Sequence, residues 1–214
     1  MHVLNDSLWF PDPESADQEG LLAVGGDLSV ARLSFAYHSG IFPWYNEDQP
    51  ILWWSPDPRM VLFPEDFIIR KSFKKRIATH AYRISWDTAF EQVIEACSVI
   101  ERPGQAGTWI TAEMLESYIE LHKQGLARSI EVWEDDRLAA GLYGIDLKTR
   151  KIFCGESMFS TVSDGSKLAL HALVQYALQQ NYRLIDCQVY TDHLYSLGAL
   201  EIPRAQFLEI LCLE

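Results

Sequence analysis

Toward its C-terminal end the chain switches between two hydrophobic periods. Residues 151–159 and 183–189 carry apolar side chains at strand spacing. Between them, Leu168, Leu170, Leu173, Val174, Ala177 and Leu178 recur at helical spacing, which predicts a helix over 166–180. A strand, a helix and a strand of these lengths predict parallel strands with a right-handed crossover. Upstream, 129–134 and 137–145 read as an antiparallel strand pair joined at Asp135-Asp136. Ile84-Ser85-Trp86 is a short strand. Helices are predicted over 88–100, with Phe90, Val93, Ile94 and Cys97 inward, from Thr111 to a stop at Gly125, and over 204–213. After the short strand the order is α, α, β, β, β, α, β, α. That order predicts an α/β (α+β) fold with a mixed sheet of the GNAT acyltransferase kind, in which a splayed parallel pair holds an acyl donor.

The first part of the chain has another character. Ser29 can cap a helix over 30–39, and Gly40 ends it. Five prolines between 43 and 64 forbid a regular helix there, so ordered loop is expected, with its aromatics buried or stacked. A small Pro/Trp-rich N-terminal domain over 1–66 and a GNAT-like domain over 67–214 are expected from this change. Residues 67–83 hold Arg70, Lys71, Lys74, Lys75, Arg76 and Arg83, the densest basic run. On a helix, Lys71, Lys74 and Lys75 share a face. That face is either simply solvated or a contact for a phosphate backbone. Residues 103–109 read as a loop.

Two predicted strands carry polar residues that are expensive to bury without partners. Asp186 and Gln188 alternate with Ile185, Cys187 and Val189, so regular pleating points both polar groups the same way. Glu156 and Met158 share a face of the other strand by the same argument. If the strands are neighbours, Glu156, Asp186 and Gln188 converge on one patch suited to a substrate amine. The alternative is a set of polar residues on a solvated sheet face.

Composition narrows the function. The 214 residues carry 18 basic and 30 acidic side chains, a net charge of −12. This argues against a general nucleic-acid binder, although one local basic patch is allowed; it suits a cationic partner, and equally an ordinary acidic cytosolic protein. The aromatic content, with seven Trp, suits a ligand surface as well as a core. The four cysteines form no C-x-x-C pair and no zinc-type Cys/His cluster. Cys154 and Cys187 are expected as buried small hydrophobes. With no signal-peptide pattern and no long apolar run, a cytoplasmic protein with no membrane association is expected.

Eight short motifs then appear in order. They are Gly20-Leu21-Leu22-Ala23-Val24-Gly25-Gly26-Asp27-Leu28, Gly40-Ile41-Phe42-Pro43-Trp44, Leu52-Trp53-Trp54-Ser55-Pro56-Asp57-Pro58-Arg59, Gly107-Thr108-Trp109-Ile110-Thr111, Ser129-Ile130-Glu131-Val132-Trp133, Gly155-Glu156-Ser157-Met158-Phe159-Ser160, Leu184-Ile185-Asp186-Cys187-Gln188, and Leu197-Gly198-Ala199 with Glu201-Ile202-Pro203-Arg204. From about residue 10 onward the chain thereby resembles the bacterial leucyl/phenylalanyl-tRNA–protein transferases. The resemblance implies transfer of Leu or Phe, with Met a further donor, from charged tRNA to the α-amino group of an N-terminal Arg or Lys. The product would feed the N-degron degradation pathway. No metal, ATP or coenzyme A is implied, because the aminoacyl ester supplies the driving force, and a monomer is expected.

The resemblance also implies roles for single residues. Asp186 and Gln188 would position the attacking amine and relay its proton, with Asp186 either a base or an electrostatic anchor. Glu156 would hold the α-amino group of the donor aminoacyl moiety. Leu142, Met158, Leu170, Leu173, Ala177 and Ile185 match the apolar pocket for its side chain. Some relatives carry Phe at the positions of Leu173 and Ala177. Trp44 and Trp109 would stack the tRNA 3′ adenosine, and Lys71, Lys74 and Lys75 would meet the acceptor-stem phosphates. Trp53 and Trp54 are expected to be structural. Two other readings compete. An acetyl-CoA-dependent acetyltransferase would need a glycine-rich pyrophosphate loop, but 160–167 lacks that spacing and Asp164 would repel the anion. A non-catalytic module recognising N-terminal residues would suit the acidic patch, but not the full set of Trp and Lys positions.

Overall fold

A computed structural model describes residues 2–79, 82–100 and 109–213. The predicted loop over 103–109 lies outside the described residues except for Trp109. The first strands are β1 (His2–Leu4), β2 (Leu21–Gly25), β3 (Phe42–Pro43) and β4 (Leu52–Trp54), which form a four-stranded sheet in the order β1-β2-β4-β3. Helix α1 (Val30–His38) lies between β2 and β3, with the Ser29 hydroxyl accepting from the Arg32 N–H as the expected cap.

The larger sheet contains β5 (Arg59–Leu62), β6 (Arg83–Trp86), β7 (Ala127–Glu134), β8 (Arg137–Leu147), β9 (Ile152–Ser160), β10 (Leu184–Gln188) and β11 (Leu200–Ile202). Its order is β11-β5-β10-β9-β8-β7-β6. β9 and β10 are parallel, as the crossover pattern requires, and the remaining neighbours are antiparallel. The sheet is therefore mixed, with the hairpin, strand, helix, strand order that the sequence predicts. The prolines around 43–64 exclude a regular helix, and the stretch is mostly ordered loop as expected, but three short strands, β3, β4 and β5, interrupt it, and β5 inserts into the larger sheet between β10 and β11. Arg59–Leu62 thus precedes residue 66 in sequence and sits in the larger sheet in space.

The remaining helices are α2 (Lys71–Ala78), α3 (Phe90–Val99), α4 (Ala112–Lys123), α5 (Gly165–Gln179), α6 (Asp192–Tyr195) and α7 (Arg204–Cys212). Alternating residues of β8 feed two cores. Tyr143, Ile145 and Leu147 pack with α1, α3, α4 and α7, while Ala140 and Leu142 pack with α5 and with Phe73 of α2. Phe90, Val93, Ile94 and Cys97 all face inward, as their spacing predicted.

Strands β9 and β10 each carry an irregularity. Along β8 and β9, Tyr143 pairs with Ser157 and Gly144 with Gly155, which leaves Glu156 as the extra residue of a bulge. Along β10 and β5, Asp186 pairs with Val61 and Gln188 with Met60, which leaves Cys187 as the extra residue of a second. Gly144 sits opposite the first bulge. A β-carbon there would come within 2.2 Å of the Cys154 carbonyl, so only glycine allows the strands this approach.

Candidate active site

β9 and β10 pair only from Leu184↔Ile152 to Asp186↔Cys154 and then separate. A cavity of about 440 Å³ opens in the gap, which is a small-molecule-sized space. Leu142, Met158, Leu170, Leu173 and Ile185 make its apolar wall, and Phe42, Pro43, Trp44 and Trp109 line another part. Glu156, Gln188, Thr191 and His193 supply polar groups.

Glu156 and Gln188, one at the first bulge and one beside the second, meet across the gap. Gln188 has a φ of 65°, and its Nε2 donates to Glu156 Oε1 at 2.7 Å. The other oxygen, Glu156 Oε2, accepts from the Tyr118 hydroxyl at 3.1 Å, and Tyr118 is hydrogen-bonded in turn to Tyr37. Burial pushes the Glu156 carboxyl up to about 7, opposed by hydrogen bonds from Tyr37, Tyr118 and Gln188 and reinforced by the nearby Asp186 charge. Burial also pushes the Tyr37 and Tyr118 hydroxyls up, so both remain donors. The result is a carboxyl that both its protonation states can occupy near neutrality, at the polar edge of an apolar cavity.

Asp186 is placed elsewhere. Regular alternation predicts that it shares a face with Gln188, but the bulge at Cys187 reverses the pleat between them. Asp186 is fully buried and absent from the cavity wall. Its Oδ1 accepts from Arg59 Nε at 2.8 Å and its Oδ2 from Arg59 Nη2 at 2.7 Å. Oδ1 also accepts from the Gln188 backbone N–H at 3.0 Å. The partner that offsets its burial is thus an arginine of β5, not a substrate amine. Burial alone would lower the Arg59 pKa, but the Asp186 charge outweighs it and holds the guanidinium ionised. Regular pleating also misplaces Glu156. The bulge turns it to the Tyr37–Tyr118 side, whereas Met158 packs with the core that holds Leu142 and Leu170.

The other candidates fall into three groups. Five of the six apolar positions line the cavity; Ala177 is fully buried behind it. Trp44 and Trp109 both line it, Trp44 being 41% exposed. Trp53 is buried, and Trp54 donates through Nε1 to the Trp44 carbonyl at 2.6 Å. Lys71, Lys74 and Lys75 are exposed on α2, whose inward anchor is Phe73. Cys154 is buried as expected, but Cys187 is only partly buried and lines the cavity. Burial and the Asp186 charge push the Cys187 thiol far up, so it is no thiolate nucleophile at neutral pH. Burial lowers the His193 ring, aided by Lys167. Apart from the Cys187 thiol, the cavity offers hydrogen-bonding groups and the Glu156 carboxyl. Arg59, Tyr37 and Tyr118 do not stand out as site residues in the sequence. Arg59 closes one of the eight motifs, but nothing local marks its partner, and the two tyrosines sit on helix faces that read as core.

Comparison with known proteins shows the family of the chain. The family model for leucyl/phenylalanyl-tRNA protein transferase matches residues 61–212, and the model for the N-terminal domain of the same transferase matches 26–57. The chain belongs to the leucyl/phenylalanyl-tRNA–protein transferase family. It is 54% identical over 211 residues to the leucyl/phenylalanyl-tRNA–protein transferase of Flavobacterium johnsoniae, covering 99% of both chains. The Christiangramia forsetii transferase is also 54% identical, over 99% of this chain and 100% of that one. A GCN5-related N-acetyltransferase from Kribbella flavida aligns at 11% identity over 78% of this chain and 59% of that one, with a TM-score of 0.30. The strand order, and not this loose overlay, carries the fold. Among the described residues, no helix is long and apolar enough to cross a membrane. As a member of this family the chain is an aminoacyltransferase that acts on charged tRNA and protein.

Proposed function

We propose that the cavity holds the aminoacyl ester at the 3′ end of a charged tRNA, in the cytoplasm, and presents it to a protein beginning with Arg or Lys. The observation that carries this reading is Glu156: a buried carboxyl, fixed by Gln188 and Tyr118, at the edge of a mostly apolar cavity. A hydrophobic amino acid esterified to ribose has that same polarity, an apolar side chain beside an ammonium group. Leu142, Met158, Leu170, Leu173 and Ile185 take the side chain of Leu, Phe or Met, while Ala177 supports them from the same core without lining the cavity. Ionised Glu156 takes the donor α-ammonium. Trp44 and Trp109 take the terminal adenine between aromatic faces, and Lys71, Lys74 and Lys75 meet acceptor-stem phosphates.

The reaction is aminolysis. The acceptor α-amine, in its neutral form, attacks the ester carbonyl; the new amide forms, the ester C–O bond breaks, and the ribose hydroxyl leaves with a proton. The Gln188 side-chain amide lies at the cavity edge where the amine would be oriented. Asp186, with both oxygens engaged by Arg59, acts as an anchor instead of a base. The ester supplies the driving force, so the step balances without a cofactor. A product with a new N-terminal Leu or Phe enters the N-degron pathway. An acceptor carrying two positive charges suits an acidic monomer with net charge −12.

The test is transfer of radiolabelled Leu and Phe from charged tRNA to a protein beginning with Arg, beside the same protein beginning with Ala. Label on the Arg protein alone is expected. Equal labelling of both would remove the acceptor assignment.

A further inference from the structure

Arg59 joins the two walls of the cavity through one guanidinium. Nε and Nη2 grip both oxygens of Asp186, and Nη1 donates to the Gly40 carbonyl at 3.2 Å. The cation lies between the rings of Phe42 and Phe207, 4.8 and 4.6 Å from their centroids. Both polar contacts lead to a cavity residue, and Phe42 is one itself. Asp186 receives the Gln188 N–H and so holds the bulge that turns the Gln188 amide onto Glu156. Gly40 begins the segment that continues through Phe42 and Pro43 to Trp44, all three of which line the cavity. Gly40 itself has a φ of +76°, and a β-carbon there would meet Leu208 at 2.7 Å and Phe207 at 3.1 Å. This corner leaves no room for adjustment.

We propose that Arg59 is a positioning residue for aminoacyl transfer, holding the Phe42–Trp44 wall at a fixed distance from the Gln188–Glu156 edge; this rests on the cavity being the ester site. Stability alone does not explain the arrangement. A buried ion pair adds little over apolar residues of the same volume, whereas breaking one partner is costly. What arginine supplies is a rigid fork with three directed donors used at once, which lysine cannot copy.

The test compares R59K with the wild type on the same charged tRNA and the same labelled acceptor. The rate is expressed per folded molecule, counted by near-UV circular dichroism. R59K keeps the charge and loses the fork, so kcat should fall at least about tenfold, as expected for a small misplacement of reacting groups. The Kd for uncharged tRNA, which reports the lysine face of α2, should stay within about twofold. If R59K fails to fold, R59M/D186N decides, because it leaves no unpaired charge buried and the new amide can still accept from Gln188. Reduced kcat at an undiminished melting temperature supports positioning, since the Gly40 tie is gone. Wild-type kcat per folded molecule, in R59K or in the double variant, overturns it. Both comparisons are ratios on one acceptor, so a failure of the Arg or Lys preference would revise the acceptor class and leave this result readable.

Discussion

Gln188 Nε2 reaches Glu156 Oε1 at 2.7 Å across the gap where β9 and β10 have stopped pairing. Regular pairing continued from Asp186↔Cys154 would set Gln188 opposite Glu156 on the face that Asp186 also shares. Instead the strands have parted and each carries one extra residue, so the Gln188–Glu156 contact survives while Asp186 is left buried against Arg59. Two local irregularities of the sheet thus separate Asp186 from the pair, and such irregularities are common beside active sites.

The raised Glu156 pKa makes stability depend on pH. Its folded value is about 7, above the ordinary carboxyl value of 4.5, so between these the folded state binds the extra proton. Stability therefore falls as pH rises from about 4.5 to 7 and is then level, an effect on the order of 3 kcal/mol at most. E156Q should match the wild type at pH 5 and melt higher at pH 8. A gap independent of pH would show that Glu156 ionises without penalty.

Catalysis should respond in the opposite sense. If ionised Glu156 holds the donor ammonium, the donor KM should worsen below pH 7, approaching about tenfold for each further unit. E156Q should flatten that dependence at a uniformly high KM. A donor KM that is level from pH 5.5 to 7.5 in the wild type would separate Glu156 from donor binding.

Much of this was legible in the sequence because it rests on periodicity. The hairpin, the parallel pair, the helix between them and the inward face of α3 all follow from apolar spacing. The polar residues Glu156, Asp186 and Gln188 were visible as burial costs in apolar strands. Which of them face the cavity was not visible, because a bulge is decided by the register between strands distant in sequence, and alternation within one strand is blind to it. Arg59 shows the same limit. Its 127-residue separation from Asp186 leaves no local pattern to read, and its strand lies in a proline-rich stretch that reads as loop. Ala177 differs again: its i, i+4 step from Leu173 is correct, but a helix face turned to the core is broader than the cavity behind it.

Leu173 and Ala177 should therefore behave differently. Leu173 lines the cavity, so L173A enlarges it and should shift transfer toward Phe over Leu by about tenfold, the scale of one or two methylenes. Ala177 is buried without touching the cavity. A177F should act as overpacking, costing about 1–3 kcal/mol of stability. An unchanged Phe-to-Leu ratio in L173A, measured in competition, would remove Leu173 from the specificity pocket.

Trp44 allows a clean test of stacking. The bond from Trp54 Nε1 goes to the Trp44 carbonyl, so W44A keeps this backbone tie and removes the ring alone. Loss of one base–aromatic stack is worth about 1–3 kcal/mol, which should raise the KM for charged tRNA with the melting temperature nearly unchanged. A normal KM together with a lowered melting temperature would assign Trp44 to packing against Trp54.

The lysine face of α2 should reveal itself through salt. Lys71, Lys74 and Lys75 are exposed, and Phe73 alone among the helix residues is buried, so replacing all three lysines with Ala leaves the helix anchor untouched. For every phosphate that a lysine no longer neutralises, the slope of log K against log salt shrinks by roughly 0.7–0.9. The triple variant should bind tRNA more weakly at low salt and converge with the wild type at high salt. Because the protein carries a net charge of −12, it has no diffuse positive field to mask the change. Parallel salt plots for the two proteins would place the acceptor stem on another surface.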